Sequence, residues 1–249
     1  VFKQKRIFIA YSIADKIAAN SNYTKDLLIE SLSIKTTKIT VIHPGIDIYD
    51  KFIQSDTIRK INDIIGKSNP VILTLARLEV RKGHRIVLDA LSRLRNKYPN
   101  FLYIIAGDGP AKNDIKKYSI ELKLENNICF LGWVTEPEKS VLLKNTDLFV
   151  MTPHIDNESV EGFGMSFIDA ALHSIATLGT DNGGIPDAII DGETGLIAKT
   201  SNLNDITDKI DKLLSNKERR ESLGKAGQEN AIKKFTWDKK IIEFFKLII

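Results

Sequence analysis

From Pro70 onward, short apolar runs alternate with segments whose apolar residues recur every three or four positions. "VILTLA" (71–76), "FLYIIAG" (101–107), "NICFLG" (127–132), "DLFVMT" (147–152), "ATLGT" (176–180) and "GLIAK" (195–199) have strand length and are bounded by turn residues. Between the first two, "HRIVLDALSRLRNKY" places Ile86, Val87, Ala90, Leu91 and Leu94 on one helical face. "AKNDIKKYSIELKL", "EPEKSVLLKNT" and "GMSFIDAALHS" read as further helices, with Pro137 tolerated in a first turn. Strands that are apolar throughout are buried on both faces. Separated by helices, they predict a parallel sheet covered on both sides: a doubly wound, Rossmann-like α/β layer. After residue 200, three helical segments (202–216, 217–235 and 236–249) succeed one another with no strand between them.

Residues 1–47 differ in origin. A helix-like piece ending "SIAD" leads to a strand "KIAAN", a helix "YTKDLLIESL" and a strand "KITVI" that closes in "HPGID". Two strands do not make a stable sheet alone. They are expected either to pair with a further sheet or to dock on the doubly wound layer. Residues 48–69, polar with one short helix, read as an interdomain linker. The chain opens at Val1 in mid-pattern, and an upstream portion is expected to be missing.

The 249 residues are 43% hydrophobic and 27% charged, the balance of an ordinary globular chain that can bury a sizeable core. The net charge of +4 is spread with mixed signs, so no nucleic acid footprint is expected. An anionic small molecule or an anionic membrane surface suits it at least as well. Cys129 is the only cysteine and has no internal partner, which points to a reducing, cytoplasmic setting. Its strand-like surroundings favour a buried structural thiol over a nucleophile.

In an open parallel sheet, ligands bind beyond the C-terminal strand ends. After the first strand come Arg77, Arg81, Lys82 and Gly83. Cations at a strand end beside a helix N-terminus suit a diphosphate, and a solvated basic turn is the alternative. "GDGPAK" has Lys112 at the third glycine position of a dinucleotide fingerprint and reads as a tight turn. In "WVTEPEK", Val134 by its backbone and Glu136 can meet a base, or the stretch is simply a helix start. In "EGFGMSFIDA", Glu161 and Asp169 stand eight residues apart around a glycine turn. A helix beginning near Gly164 points free N–H groups at the site, and the two carboxylates can serve opposite ends of one polar ligand. His154 reads as a wall residue and His173 as packing or surface. No cluster has metal-ligand spacing. Gly183 and Gly184 form a further turn for close backbone approach, or a turn alone.

Taken in order, "ARLEVRKG", "GDGP", "GWV", "EGFGMSFIDA", "NGGIPDAI" and "DGETGL" resemble the C-terminal half of the family 4 retaining glycosyltransferases, of the GT-B fold. "SNYTKDLL" and "KITVIHPGID" are similar to the segment in which that family's N-terminal domain hands over to the second. The resemblance implies that residues 1–47 are a remnant of the acceptor-side domain and 70–249 a nucleotide-sugar donor domain with extra C-terminal helices. It implies that Arg77 and Lys82 hold the donor diphosphate, and that Glu161 contacts the transferred sugar. The N–H groups of Phe163, Gly164 and Met165 would lie around sugar and phosphate, Asp169 would bind the ribose, and Val134 with Glu136 would meet the base. The implied reaction is metal-independent hexosyl transfer, with retention and no cofactor, from GDP-mannose or a UDP-hexose to a glycan or lipid-linked acceptor in surface polysaccharide or glycolipid synthesis. Glu136 tips the base towards guanine, with uracil the runner-up. Three departures stand out: Asp169 where Glu is usual, Ser174 and Ala176 where the family has Gly and Pro, and the missing bulk of the N-terminal domain, about 100–150 residues.

Two other classes compete. One is a nucleotide-sugar-binding module that is catalytically incomplete, as a fragment or subunit of a split transferase. The other is a dinucleotide-dependent oxidoreductase, against which Lys112 counts. Lys233, Lys234, Lys239, Lys240 and Lys246 beside Phe235, Trp237, Phe244 and Phe245 suggest two readings of the last helices. One is a basic surface peripheral to the inner face of the cytoplasmic membrane, and the other is helices packed on the core with solvated lysines.

Overall fold

The computed structural model describes residues 10–48, 53–156 and 159–248. The start of the chain, part of the linker (49–52) and Asn157–Glu158 of the loop before Glu161 lie outside the described residues.

The first unit is small. Strand β1 (Ile17–Ala19), helix α1 (Asn22–Leu32) and strand β2 (Ile39–Val41) form a two-stranded parallel sheet with its own cluster of Ile17, Ala19, Leu28, Ile34 and Ile39. Ser21 caps α1 by accepting from Thr24 N–H. The unit docks on the larger second unit. Ile46 N–H donates to Phe235 O at 2.8 Å, and the backbone and side-chain amides of Asn22 donate to Asp187 at 2.6–3.1 Å. Among the described residues of the linker, helix α2 (Ser55–Ile65) buries Ile61 in the core of the second unit.

The second unit runs β3 (Val71–Leu75), α3 (His84–Leu94), β4 (Leu102–Ala106), α4 (Lys112–Glu121), β5 (Ile128–Gly132), α5 (Glu136–Lys144), β6 (Leu148–Val150), α6 (Met165–Leu172), β7 (Ala176–Thr180), α7 (Ile185–Ala188), β8 (Leu196–Ala198), α8 (Leu203–Leu214), α9 (Lys217–Lys234) and α10 (Trp237–Ile248). The six strands are all parallel, in the order β5-β4-β3-β6-β7-β8. This is the doubly wound layer expected from the sequence. Alternate residues feed opposite cores. Ile72, Tyr103, Ile105, Leu148 and Val150 pack under α3, α4 and α8, whereas Leu73, Ile104, Phe149 and Met151 pack under α5 and α6. Helices cover both faces, only the edge strand β5 being half-buried, so the strands needed no polar alternation.

α9 lies against α6 and β7 by means of small residues. A Cβ at Gly224 would stand 2.0 Å from Ser174 O, so helix backbone meets loop backbone directly. Ser174 takes a left-handed φ of 58° there, a conformation that suits glycine. Phe235, after α9, is buried, and so is Lys240, which pairs with Glu243 at 2.9 Å and stands 5.6 Å from the centre of the Phe235 ring. Ile241, Ile242 and Phe245 on α10 are open, Phe245 at 60%. The last helices therefore combine a packed start with an exposed apolar end. No described helix is long and apolar enough to cross a membrane.

Candidate functional site

The chain turns back at β3 to add strands on its other side, starting with β6, which opens a crevice beyond the C-terminal ends of these two neighbours. The loops that leave them are locked together. Thr152 Oγ1 donates to Gly83 O at 3.0 Å, and His154 N–H donates to Arg81 O at 2.9 Å. Gly83 (φ 76°) leaves no room for a side chain, since a Cβ would stand 2.1 Å from Thr152 O. "GDGP" is a turn pressed onto the β3 loop: a Cβ at Gly107 would meet Ala76 O at 1.9 Å.

This locking sets Lys82 opposite Glu161, and the two form an ion pair. Arg81 Nη1 reaches the same Glu161 oxygen at 3.2 Å, and its Nε is 2.9 Å from Glu79. Glu79 also holds Arg77 at 3.2 Å, so the ion pairs run as a chain from Arg77 through Glu79 and Arg81 to Glu161 and Lys82. Arg77 is 71% exposed and stands at the outer end, while Arg81, which the sequence reading gave no separate role, sits beside Glu161.

The Glu161 loop rests on the turn before α7. Gly184 N–H donates to Glu161 O at 2.9 Å, and Gly183 (φ 58°) has that carbonyl where a Cβ would be. The Phe163 ring is buried, stacked on His43 at 5.1 Å and edge-on to Phe235, so it anchors the loop to the hand-over segment. Gly164, at φ 95°, is the N-cap of α6, three residues after Glu161. His43 Nε2 lies 3.0 Å from Asp187. The amides of Asn22 together with His43 hold the Asp187 carboxyl below its ordinary range against its burial.

A cavity of about 420 Å³ lies alongside, over the ends of β3 and β4. Leu75, Ala76, Ala106 and Gly107 line it, with Val134, Glu136 and Lys139 on one side and Ser166 and Asp169 on the other. Trp133, 85% exposed, stands at its rim with Arg77. Lys139 lies 2.9 Å from Asp169 Oδ1 and 2.8 Å from Glu136 Oε2. Burial pushes the Asp169 carboxyl up, and Lys139 offsets this only in part. Burial opposes the Lys139 charge, yet Asp169 and Glu136 together hold its ammonium above the usual value. His173 sits behind, with Nδ1 2.9 Å from Asp169 O and Nε2 3.3 Å from Ser140 Oγ.

Glu161 thus sits among cations and main chain, whereas Asp169 stands on the wall of a largely apolar cavity that extends to Arg77. Another cavity, of about 290 Å³, lies beyond the turn at 80–83 between α3 and α4 and is lined by neither Glu161 nor Asp169. His84 borders it. Burial, with Lys82 close by, lowers His84 to about 4 and keeps it neutral. Cys129 is half-buried on β5, where burial raises its pKa. Among the described residues no three His, Cys, Asp or Glu side chains gather as a metal site would.

The sequence reading missed Lys139, Glu79 and the α5 capping box. In that box Thr135 Oγ1 accepts from Glu138 N–H and the Glu138 carboxylate accepts from Thr135 N–H. The T-x-x-E spacing was a legible signal for the box. Lys139 carried no signal, because three residues after Glu136 it looks like any surface helix pair.

Comparison with known proteins bears on the family and the fold. The chain is 25% identical over 228 residues to the GDP-mannose-dependent alpha-(1-6)-phosphatidylinositol monomannoside mannosyltransferase of Mycolicibacterium smegmatis, covering 90% of this chain and 59% of that protein. It spans between 44% and 59% of the length of the first curated relatives it matches. Anabaena Alr3699/HepE, solved in complex with UDP and glucose, superposes with a TM-score of 0.84 at 21% identity, covering 96% of this chain and 64% of that one. The C-terminal domain of a glycosyl transferase group 1 family protein from Francisella tularensis superposes at 0.65 with 21% identity, over 78% of this chain and 100% of that one. The fold is therefore that of GT-B glycosyltransferases. The family model described as "Glycosyl transferases group 1" matches residues 54–230, more than half of the sequence, and the chain belongs to that family.

Proposed function

We propose that this chain is the donor-binding half of a retaining family 4 glycosyltransferase, which transfers a hexosyl group from a nucleoside-diphosphate sugar to a glycan or lipid-linked acceptor. Residues 1–47 are then the end of the acceptor-side domain and 48–69 the linker. The observation that carries the reading is the pair of carboxylates around one helix start: Glu161 held by Lys82 and Arg81 on one side, and Asp169 in its cavity on the other.

A donor fits them in one direction. The nucleoside enters the apolar cavity, with Val134 and Glu136 near the base and Asp169 at the ribose hydroxyls. The diphosphate lies over Lys82, Arg81, Arg77 and the N–H groups of Phe163, Gly164 and Met165. It competes for Lys82 and Arg81, which frees Glu161 to accept from the sugar's hydroxyls. In the transfer the C1–O bond to the diphosphate breaks, and the acceptor oxygen bonds to C1 on the same face. The acceptor's proton passes to the departing phosphate. What the protein supplies is positive charge and N–H donors where negative charge develops. Metal independence is part of this proposal.

Calorimetric titration of the chain with GDP-mannose, UDP-glucose, UDP-N-acetylglucosamine and NAD, in chelator, tests it. Saturable binding of one nucleotide-sugar is expected. Binding of NAD alone would return the oxidoreductase reading. Binding without turnover, until an upstream domain is added, identifies an incomplete module. The open end of α10, with Ile242 and Phe245 beside Lys246, favours peripheral attachment to the cytoplasmic membrane surface as a second feature. Failure to pellet with anionic vesicles at low salt removes it.

A further inference from the structure

Lys139 stands between the two carboxylates of the nucleoside cavity, and its two pairs are unequal. Glu136 is 61% exposed and three residues away on the same helix, an arrangement of small worth. Asp169 is 16% exposed and belongs to another helix. The pair with Asp169 joins α5 to α6 across a cavity whose floor is apolar. A carboxylate in such surroundings stays charged only with a close partner. Other charged groups lie near. His173 is one turn along α6, Asp47 and Lys144 face the adjoining hollow behind Lys139, and Arg77 and Asp108 border the nucleoside side. Among the described residues, Lys139 is the cation within ion-pair distance of Asp169.

The protonation state decides what Asp169 can recognise. An ionised carboxylate accepts from two vicinal hydroxyls at once, whereas a protonated one offers a donor where both partners also donate. Removing the ammonium would leave Glu136 and Asp169 as uncompensated like charges beside each other and raise Asp169 further.

We propose that Lys139 is a positioning residue for the nucleotide: it holds Asp169 charged and oriented to accept from the vicinal hydroxyls of a ribonucleoside diphosphate. This rests on the donor-binding reading proposed for the chain. Lys139 need not touch the ligand, since it acts through Asp169.

The test titrates the chain and its Lys139→Met and Lys139→Arg variants with UDP, GDP, their 2′-deoxy counterparts and inorganic pyrophosphate, from about pH 5.5 to 8.5. Lys139→Met is expected to weaken the preferred ribonucleotide about tenfold at neutral pH, the scale of one charge-assisted hydrogen bond. The loss grows as pH falls, because Asp169 then takes up its proton at a higher pH than in the wild type. The loss largely disappears for the 2′-deoxy nucleotide. Pyrophosphate affinity is unchanged, and Lys139→Arg restores most of the binding in a protein with wild-type melting behaviour. Wild-type affinity of Lys139→Met at every pH overturns the inference. So does an equal loss for ribo- and deoxynucleotide, which would mark a merely structural lysine. If the wild type binds neither UDP nor GDP, the donor-binding reading itself fails and takes this inference with it.

Discussion

Two lysine–carboxylate pairs face the C-terminal edge of the sheet, and they are built in opposite ways. Lys82 ends a single 3-10 turn in the loop after β3, and Glu161 sits on the loop before α6. Their separation is set by backbone touching backbone, through Gly83 against Thr152 and through Gly183 and Gly184 against the Glu161 loop. Lys139 and Asp169 both sit on helices, and their separation is set by how α5 and α6 pack on one face of the sheet. The first pair needs special residues around it at fixed places in the chain. The second needs one ordinary lysine at the right turn of a helix. A loop site is written as a motif, while a helix site is written only in the tertiary structure.

The largest expected contrast is in catalysis. In the complete enzyme, Glu161→Ala should lower kcat about a hundredfold while changing the affinity for the bare nucleotide far less. Equal losses in steady-state turnover and in calorimetric Kd would remove the sugar-contact role and make the two ends alike.

Acid should also separate them. His84 comes just after the Lys82 turn and is held neutral, with its pKa lowered to about 4 by burial and by Lys82. In the unfolded chain it binds a proton near its ordinary 6.5, so the unfolded state carries more protons between these values. Stability from this group is full above pH 6.5 and lost as pH falls towards 4, by up to about 3 kcal/mol. Urea unfolding across this range should show the slope, and His84→Asn, less stable at pH 7, should flatten it. An unchanged slope in the variant would place the acid sensitivity elsewhere.

Next in size, Lys82→Ala should weaken nucleotide-sugar binding by about 1.5–3 kcal/mol and weaken pyrophosphate with it. This is the complement of Lys139→Met, which spares pyrophosphate. Unchanged affinity in a folded Lys82 variant would refute the diphosphate assignment. The smallest effect belongs to the helix end. Thr135→Ala removes the capping box at the start of α5 and should cost about 1 kcal/mol in denaturant unfolding. It should also loosen nucleotide binding with no change for pyrophosphate. Loss of pyrophosphate affinity would show that the two ends are not independent.

The fold was legible because its physics is local. Strands buried on both faces are apolar runs, and "VILTLA" or "FLYIIAG" has few other uses. The glycines of the loop end were legible for a similar reason, since each marks a place where a side chain has no room. Arg81 was harder. Arg77, Arg81 and Lys82 are all cations after β3, and only the short turn at Val80–Lys82 decides which of them reaches Glu161. Lys139 and the grip of Asn22 and His43 on Asp187 were out of reach, because each joins residues far apart in sequence with side chains ordinary for a surface.

The glycine contacts around Glu161 have a mechanical consequence. A Cβ at Gly184 would stand 2.1 Å from Gly162 O and 2.8 Å from Ser21 Cβ, and one at Gly162 would stand 2.9 Å from Asn20 Nδ2. Segments from the end of β1, the Glu161 loop and the start of α7 therefore meet through main chain and the short side chains of Asn20 and Ser21. Side chains act as springs, because they can change rotamer and absorb a shift. Here only the short side chains of Asn20 and Ser21 intervene, so a displacement of residues 20–21 is expected to be felt at the backbone beside Glu161.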